Sequence, residues 1–388
     1  MKILHLCLSN FYIDEYAYQE NMLTKYHKLL GHDVTIIAST VTFDKKTGKP
    51  TLTNVNNYKN EHGIEVKRIP YRFSNIGKFL NDKIRIYKDT IKYLDSVQPD
   101  LIFCHGVQLI DLFQVTKYIK KNPKCRLVVD SHAAYINSGQ TFLSKYILHK
   151  FFYSFIYNAN KKYIDKFFVV TPGSLHFANE LYNVPLEKME ILYLGADTES
   201  INLENKVEVR KMYRKENNIE NSDIVLISGG KIDKLKNIIW LVDSFKKISN
   251  KKLKLILFGP INPSIKTELL HKISEDSRII YKSWLSPEEV SKYYLAADIG
   301  IFPGSKSALW EQAICCGLPL ICKYWEDMDY VDVGGNCIFI DGQNFNELKE
   351  AITSLVDNKS KYEKMKNIAL TKGIERFSYS NIAKQSLK

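Results

Sequence analysis

The chain has 388 residues, 45% of them hydrophobic and 25% charged, with a formal net charge of +12. That is too long for one compact domain and ordinary for a globular protein of two, each able to build its own core. No run approaches the roughly 20 apolar residues of a membrane span, and the first seven residues lead straight into a polar loop, unlike a signal peptide. The seven cysteines sit mostly inside apolar runs without metal-ligand spacing, as expected of free thiols in a reducing cytoplasm. The positive charge fits a chain rich in Lys, Asn, Ile and Tyr throughout. It also fits an anionic membrane surface or a phosphate-bearing substrate. Nucleic acid fits the charge alone, because the basic residues are spread and no nucleic-acid motif occurs.

In chain order, residues 2–8, 34–39, 101–104, 126–130, 167–170 and 191–194 are short apolar runs that predict buried strands. Helical spacing at 18–30 and 83–96 separates some of them. The alternation resumes after residue 220, with strands expected at 224–228, 254–258, 278–281, 299–302, 320–322 and 337–340. Helices are expected between these at 238–247, 287–296, 310–316 and 345–356. Two such series predict an α/β protein of two doubly wound, mostly parallel sheets. The expected domains are 1–197 and 198–372, divided near Gly195-Ala196-Asp197 before the polar stretch 202–221. Residues 373–388 form a terminal helix that packs back on the first domain. Ligands of such sheets bind beyond the carboxyl ends of the strands, so the cleft between the domains is the expected active site.

In the first half, two histidines follow strand ends. Cys104-His105-Gly106 closes one strand and Asp130-Ser131-His132 another, so His105, Asp130 and His132 are the candidate catalytic groups. A packed or capping histidine gives the same pattern, and that is the reading for His5, His27 and His271. Residues 141–166 interleave Phe142, Tyr146, Phe151, Phe152 and Phe155 with Lys145, Lys150, Lys161 and Lys162 at helical spacing. Core helices with lysines reaching out to solvent would do this; so would a face that meets a membrane surface.

In the second half, four strand-end blocks stand out. Ser228-Gly229-Gly230-Lys231 runs through Asp233 to Lys236-Asn237, between a strand and a helix. Its glycines let backbone N–H groups approach an anion, and Lys231 and Lys236 can reach one diphosphate. A plain turn with solvated lysines would look similar. Phe258-Gly259-Pro260 is a strand running into a tight turn. Lys282-Ser283-Trp284 leads to a helix with Ser286 as N-cap, Pro287 in the first turn and Glu289 as reciprocal partner. That loop either frames a base edge or leaves Trp284 in the core. Finally, Pro303-Gly304-Ser305-Lys306-Ser307-Ala308-Leu309 enters a helix expected to begin near Ser307. Its N–H groups suit phosphate or sugar hydroxyls, and Glu311 or Gln312 suits ribose hydroxyls.

Lys231 with Lys236, the Phe258-Gly259 turn, Ala297-Asp298 before a strand, and Glu311-Gln312 ahead of Gly317-Leu318-Pro319 together resemble the GT-B glycosyltransferases of family 4. The resemblance spans the chain and is most specific over 228–320. It implies the GT-B fold, two Rossmann-like domains, with a nucleotide-sugar donor held by the second, its diphosphate on Lys231 and Lys236. Ribose falls to Gln312 by spacing or to Glu311 by chemistry, and His132 to the donor sugar. The donor site as a whole takes in Gly230, Lys231, Lys236, Gly259, Lys282, Trp284, Ser305, Lys306, Ser307, Ala308, Leu309, Glu311 and Gln312. The sequence departs from the family at Gly304, where a glutamate is usual; contacts to the sugar then either fall to Ser305, Lys306, Ser307 and their backbone or are absent. In this it resembles the capsule, exopolysaccharide and O-antigen transferases, whose loop also runs into a Trp-Glu-Gln helix. It departs again near Tyr16, where relatives carry a glycine pair. Tyr18, Glu20 and Asn21 either line the cleft or start a helix with solvated polar groups.

The expected activity is transfer from a nucleotide-diphosphate sugar, with uridine the expected base, to a hydroxyl of a glycan or lipid-linked acceptor. Retention of configuration is implied by the family. No Asp-X-Asp pair accompanies the donor motifs, so neither a metal nor another cofactor is expected. The rival readings are a catalytically silent nucleotide-sugar-binding subunit and a GT-B epimerase. The expected location is cytoplasmic, with an anionic membrane surface as a further partner.

Overall fold

The structure is a computed structural model that describes residues 1–44, 50–73, 76–201 and 203–388. Asn202, at the start of the polar stretch, lies outside the described residues. Contacts divide the chain into Met1–Tyr193 with Ile382–Lys388, and Leu194–Asn381. The division falls before Ala196 because Ala196 bridges to Ser378 and its N–H donates to Phe377, which ties the segment into the second unit.

In the first unit the strands are β1 (Lys2–Cys7), β2 (Asp33–Ser39), β3 (Val41–Phe43), β4 (Pro50–Leu52), β5 (Asn57–Lys59), β6 (Glu65–Ile69), β7 (Leu101–Cys104), β8 (Arg126–Ser131), β9 (Lys166–Val169) and β10 (Met189–Ile191). One sheet runs in the order β10-β9-β8-β7-β1-β2-β6-β5, parallel except for β5, while β3 and β4 pair antiparallel. The central strands carry apolar residues on both faces because helices cover both. The chain steps outward from β1 through β2 to β6, then returns to β7 on the other side. The ends of β1 and β7 are therefore the switch point where such sheets bind ligands.

Two expectations fail here. The helix expected over 83–96 is two helices, Gly77–Ile84 and Thr90–Val97, broken by Arg85 and Asp89 in left-handed conformation. The break brings buried Tyr87 through the gap. Its hydroxyl donates to Leu8 O, and its N–H donates to Asp111, which outweighs the local helical preference. The strand expected at 191–194 lies two residues earlier, because β10 pairs with β9 from Met189 and Ile191 is its last residue.

The second unit holds β11 (Ile224–Gly229), β12 (Leu253–Phe258), β13 (Ile279–Lys282), β14 (Ile299–Phe302), β15 (Leu320–Lys323) and β16 (Cys337–Ile340). All pair parallel, in the order β13-β12-β11-β14-β15-β16, so the switch point lies between β11 and β14. The helix Ile238–Lys246 buries Leu241, Val242 and Phe245 against Leu226 and Leu255 of the sheet. Each such side chain contributes about 1.5–3 kcal/mol. Most of the polar stretch 202–221 proves to be a helix, Lys206–Glu216, which clamps Asp298 ahead of β14. Arg214 Nη2 and Arg210 Nη2 lie 2.6 and 2.5 Å from its carboxylate oxygens. The chain ends in two short helices, Ile374–Phe377 and Tyr379–Ser386, separated by extended Ser378.

Candidate functional site

The loops that leave β11, β12 and β14 are built around close backbone contact. A Cβ on Gly259 would stand 2.0 Å from Gly230 O, and Gly259 has φ +111°, so neither space nor conformation admits another residue. Gly230 N–H donates to Phe258 O at 3.0 Å, and Ile232 and Asn262 continue the pairing between the two loops. Asp233 caps the turn Lys234–Lys236 by accepting from Leu235 and Lys236 N–H. That turn places Lys236 against the loop after β14. Its Nζ donates to Ser305 O at 2.7 Å and Lys306 O at 3.0 Å. Two of its three N–H groups are thus used, and carbonyls neutralise no charge. Burial pulls its pKa down to about 8, with only Asp233 opposing. Such an ammonium gains when an anion arrives. Lys231, by contrast, is exposed.

Gly304 lies buried beneath this stitch. A Cβ there would meet Leu235 O at 2.2 Å, so in this backbone the position cannot carry the glutamate usual in the family. Beyond it, the helix runs Leu309–Cys315 rather than starting near Ser307. Glu311 is wholly buried; its Oε1 accepts from Tyr330 OH at 2.8 Å and pairs with Lys306 Nζ at 2.9 Å. Lys306 is itself only 8% exposed and lies over the Tyr330 ring. Four buried polar atoms near these strand ends, Ser228 Oγ, Ser307 Oγ, Trp310 Nε1 and Glu311 Oε2, have no hydrogen-bond partner among the described residues. Buried polar atoms normally find partners, and unpaired ones mark strain or a ligand. Gln312 donates to Ser291 Oγ at 3.0 Å, which fastens its helix to Pro287–Ala296. The capping box of that helix, Ser286 with Glu289, forms as its sequence requires. Trp284, however, is 66% exposed: the loop before the helix turns it outward instead of into the core.

In the first unit, the ends of β7 and β8 meet on Asp130. Its Oδ1 accepts from Gly106 N–H at 2.8 Å, and its Oδ2 lies 2.9 Å from His105 Nδ1 and 3.6 Å from His132 Nε2. Burial alone would raise the carboxyl's pKa, but His105 and His132 hold it well below the usual carboxylate range. At His132, burial works downward, and the Asp130 charge more than offsets it, to about 9. His105 and Asp130 are wholly buried and spend their polar atoms on each other, His5, Gly106 and His132, which leaves none for a substrate as expected; of the three, only His132 reaches solvent, at 26%. Tyr18 is exposed. Glu20 and Asn21 are buried in the first turn of Gln19–Leu29 rather than solvated, with Asn21 donating to Ile13 O at 2.8 Å.

Residues 20–200 match the model of glycosyltransferase family 4, and residues 209–372 match that of the glycosyl transferases group 1. The chain is a GT-B glycosyltransferase of the family-4 type. Among solved structures, Anabaena HepE in complex with UDP is similar at TM-score 0.70 and 16% identity, over 99% of this chain and 98% of that one. A Rickettsia africae glycosyltransferase gives 0.71 and 15%, over 100% and 96%. Sucrose-phosphate synthase from Thermosynechococcus elongatus gives 0.67 and 14%, over 99% and 96%. At such identities these likenesses speak for the fold. No curated protein matches by sequence.

Within this glycosyltransferase the strand ends bring Gly230, Lys236, Gly259, Ser305, Lys306, Ser307 and Glu311 together in one unit, with Lys282 accepting from Gly259 N–H through its backbone. Ala308 and Leu309 open the short helix, and a Cβ on Gly230 would meet Leu309 at 3.0 Å. The segment 141–166 divides its two faces. Tyr153, Ile156 and Tyr157 pack inward, while Phe142, Leu143, Phe151 and Phe155 stand 63–73% exposed, so packing accounts for only one side. His5 and His27 are indeed packed, but His271 is exposed. Sequence reasoning placed Ser228 and Asn237 in the first strand-end block but gave neither a role in the site. Asn237 donates to Pro303 O and Gly342 O and fixes the Lys236 turn; its place after two lysines at a helix start was the available signal. Among the described residues no three His, Cys, Asp or Glu side chains gather closely enough to hold a metal, and no helix is long and apolar enough to cross a membrane.

Proposed function

We propose that the enzyme transfers a glycosyl group from a UDP-sugar to a hydroxyl of a glycan or lipid-linked acceptor in cell-surface polysaccharide synthesis, with retention and without a metal. The observation that carries the reading is the half-buried Lys236 ammonium, held by two carbonyls and lowered in pKa by burial. Similar structures with UDP and with UDP-glucose support a uridine donor. In the reaction the bond from the anomeric carbon to the diphosphate oxygen breaks, its electron pair leaves with the diphosphate, the acceptor oxygen bonds to the anomeric carbon, and the acceptor's proton passes to the departing diphosphate. Lys236, with Lys231 from the solvent side, stabilises that charge, as a fixed cation does most effectively where water is excluded. Ser307 Oγ and the free oxygen of Glu311 serve the sugar and ribose hydroxyls. In the first unit His132, protonated at neutral pH, is the group that bears on the transferred sugar. The exposed aromatic face of residues 142–155, flanked by lysines in a chain of charge +12, fits an anionic membrane surface that presents a lipid-linked acceptor.

A panel of UDP-, GDP-, dTDP- and CMP-sugars tests this. Acceptor-dependent release of UDP is expected. Binding without turnover on any acceptor would favour a silent subunit. Unchanged donor affinity in both Lys236→Ala and Lys231→Ala would sink the phosphate assignment.

A further inference from the structure

A buried line of imidazoles runs from Asp130 to the end of the chain. His105 Nδ1 stands 2.9 Å from Asp130 Oδ2, and His105 Nε2 stands 2.9 Å from His5 Nδ1. His5 Nε2 is 2.9 Å from His27 Nδ1, and His27 Nε2 is 2.8 Å from Ser386 Oγ. Every member is buried, and the five come from β1, the helix Gln19–Leu29, the ends of β7 and β8, and the last helix. No substrate can reach this line, and its burial has a cost unless the rings are paired.

Each contact between two rings needs one donor and one acceptor, so the tautomer of one ring dictates that of the next. Asp130, held ionised, accepts at one end, so His105 must present Nδ1–H. Its Nε2 then accepts from His5 Nδ1–H, His5 Nε2 from His27 Nδ1–H, and His27 Nε2 from the Ser386 hydroxyl, in competition with Ala383 O, which lies 2.8 Å from that hydroxyl and 3.3 Å from His27 Nε2. His5 and His27 are neutral: burial lowers both, the former well below its ordinary value and the latter to about 3. Around the line, the Cys7 and Cys104 thiols are pushed up by burial and stay neutral, Phe103 stacks on His5, His32 lies beside His27, and Glu20 bears on His132.

A second arrangement uses the same atoms. Ser386 turns its hydrogen to Ala383 O, 2.8 Å away, and His27 and His5 carry Nε2–H instead. His105 must then hold two protons to face both His5 and Asp130. This state contains one proton more. It places two imidazoliums, His105 and His132, on one buried carboxylate, which is the costlier balance.

We propose that His5, His27 and Ser386 are positioning residues that fix whether His105 faces Asp130 with one proton on its ring or two, and so set the charge balance that Asp130 shares with His132. The proposal rests on the reading of His132 as a group of the transfer reaction, but its test does not. Nitrogen-15 NMR of histidine-labelled full-length protein at pH 7 should show His5, His27 and His105 as neutral Nδ1–H rings and His132 as an imidazolium. In Ser386→Ala, only the Ala383 carbonyl, an acceptor, remains by His27 Nε2. His27 and His5 should then turn to Nε2–H, His105 should become doubly protonated, and His132 should bind its proton about tenfold more weakly. Ser386→Thr should restore the original pattern. Nε2–H or mixed tautomers in the unaltered protein, or Ser386→Ala with unchanged His105 and His132 signals, would overturn the proposal. Unchanged turnover in His132→Ala would overturn the reading of His132 and leave the tautomers as measured.

Discussion

The two units use one sheet plan and fill its switch point in opposite ways. In the second, the ends of β11 and β14 carry glycines with no room for a Cβ, a lysine stitched by carbonyls, and polar atoms with no partner among the described residues. In the first, β7 of the switch point and its neighbour β8 bring together a carboxylate that accepts from Gly106 N–H and Asn10 Nδ2 and faces two histidines. One arrangement is incomplete without an anion. The other balances its charge internally and leaves only His132 at the surface, its Nε2 without a hydrogen-bond partner among the described residues. The difference teaches that a shared topology fixes where chemistry occurs, while the charge balance of the loops decides whether a site binds or positions.

The comparison can be broken by substitutions that should separate binding from turnover. Asp130→Asn removes the counter-charge of His132, and turnover should fall about 10²–10³-fold while donor affinity, read by calorimetry, changes little. An equal loss in both would merge the two roles. Asp298→Ala strips buried Arg214 of its partner and should cost about 3–5 kcal/mol of stability in a denaturant titration. That loss should appear in the second unit's unfolding step. Lys236→Ala should weaken donor binding by about 2 kcal/mol, roughly 30-fold, with turnover of bound donor reduced further if the cation also steadies the leaving group. Lys231→Ala, at an exposed position, should cost about 0.5–1 kcal/mol in affinity and lose even that at high salt.

Much of the fold was legible because parallel strands buried on both faces must be continuous apolar runs, as 101–104, 224–228 and 299–302 are. The helix break at Arg85–Asp89 was not. It depends on Tyr87 finding Leu8 and Asp111, contacts remote in sequence. In the site, Gly230, Gly259 and Lys236 were readable from turn chemistry at strand ends. Whether Glu311 faced a ligand or an internal lysine was not, since Lys306 and Tyr330 reach it only after the β14 loop folds. The histidine line was illegible for the same reason: His5, His27, His105 and Ser386 share no spacing, His5 and His27 read as packed residues, and His105 stands out only as a strand-end candidate until the sheet assembles.

The central claim is that Lys236 awaits the donor diphosphate. Calorimetric titration of UDP-glucose at pH 8, in buffers of different ionisation enthalpy, counts the protons taken up on binding. With Lys236 half-protonated when free, at a pKa of about 8, and fully protonated beside a diphosphate, uptake should be about half a proton. Affinity should then fall as pH rises through 8, where the free amine must be recharged, and Lys236→Arg, charged at every pH, should show neither effect. Zero uptake by the unaltered protein, or equal uptake in Lys236→Arg, would contradict the account.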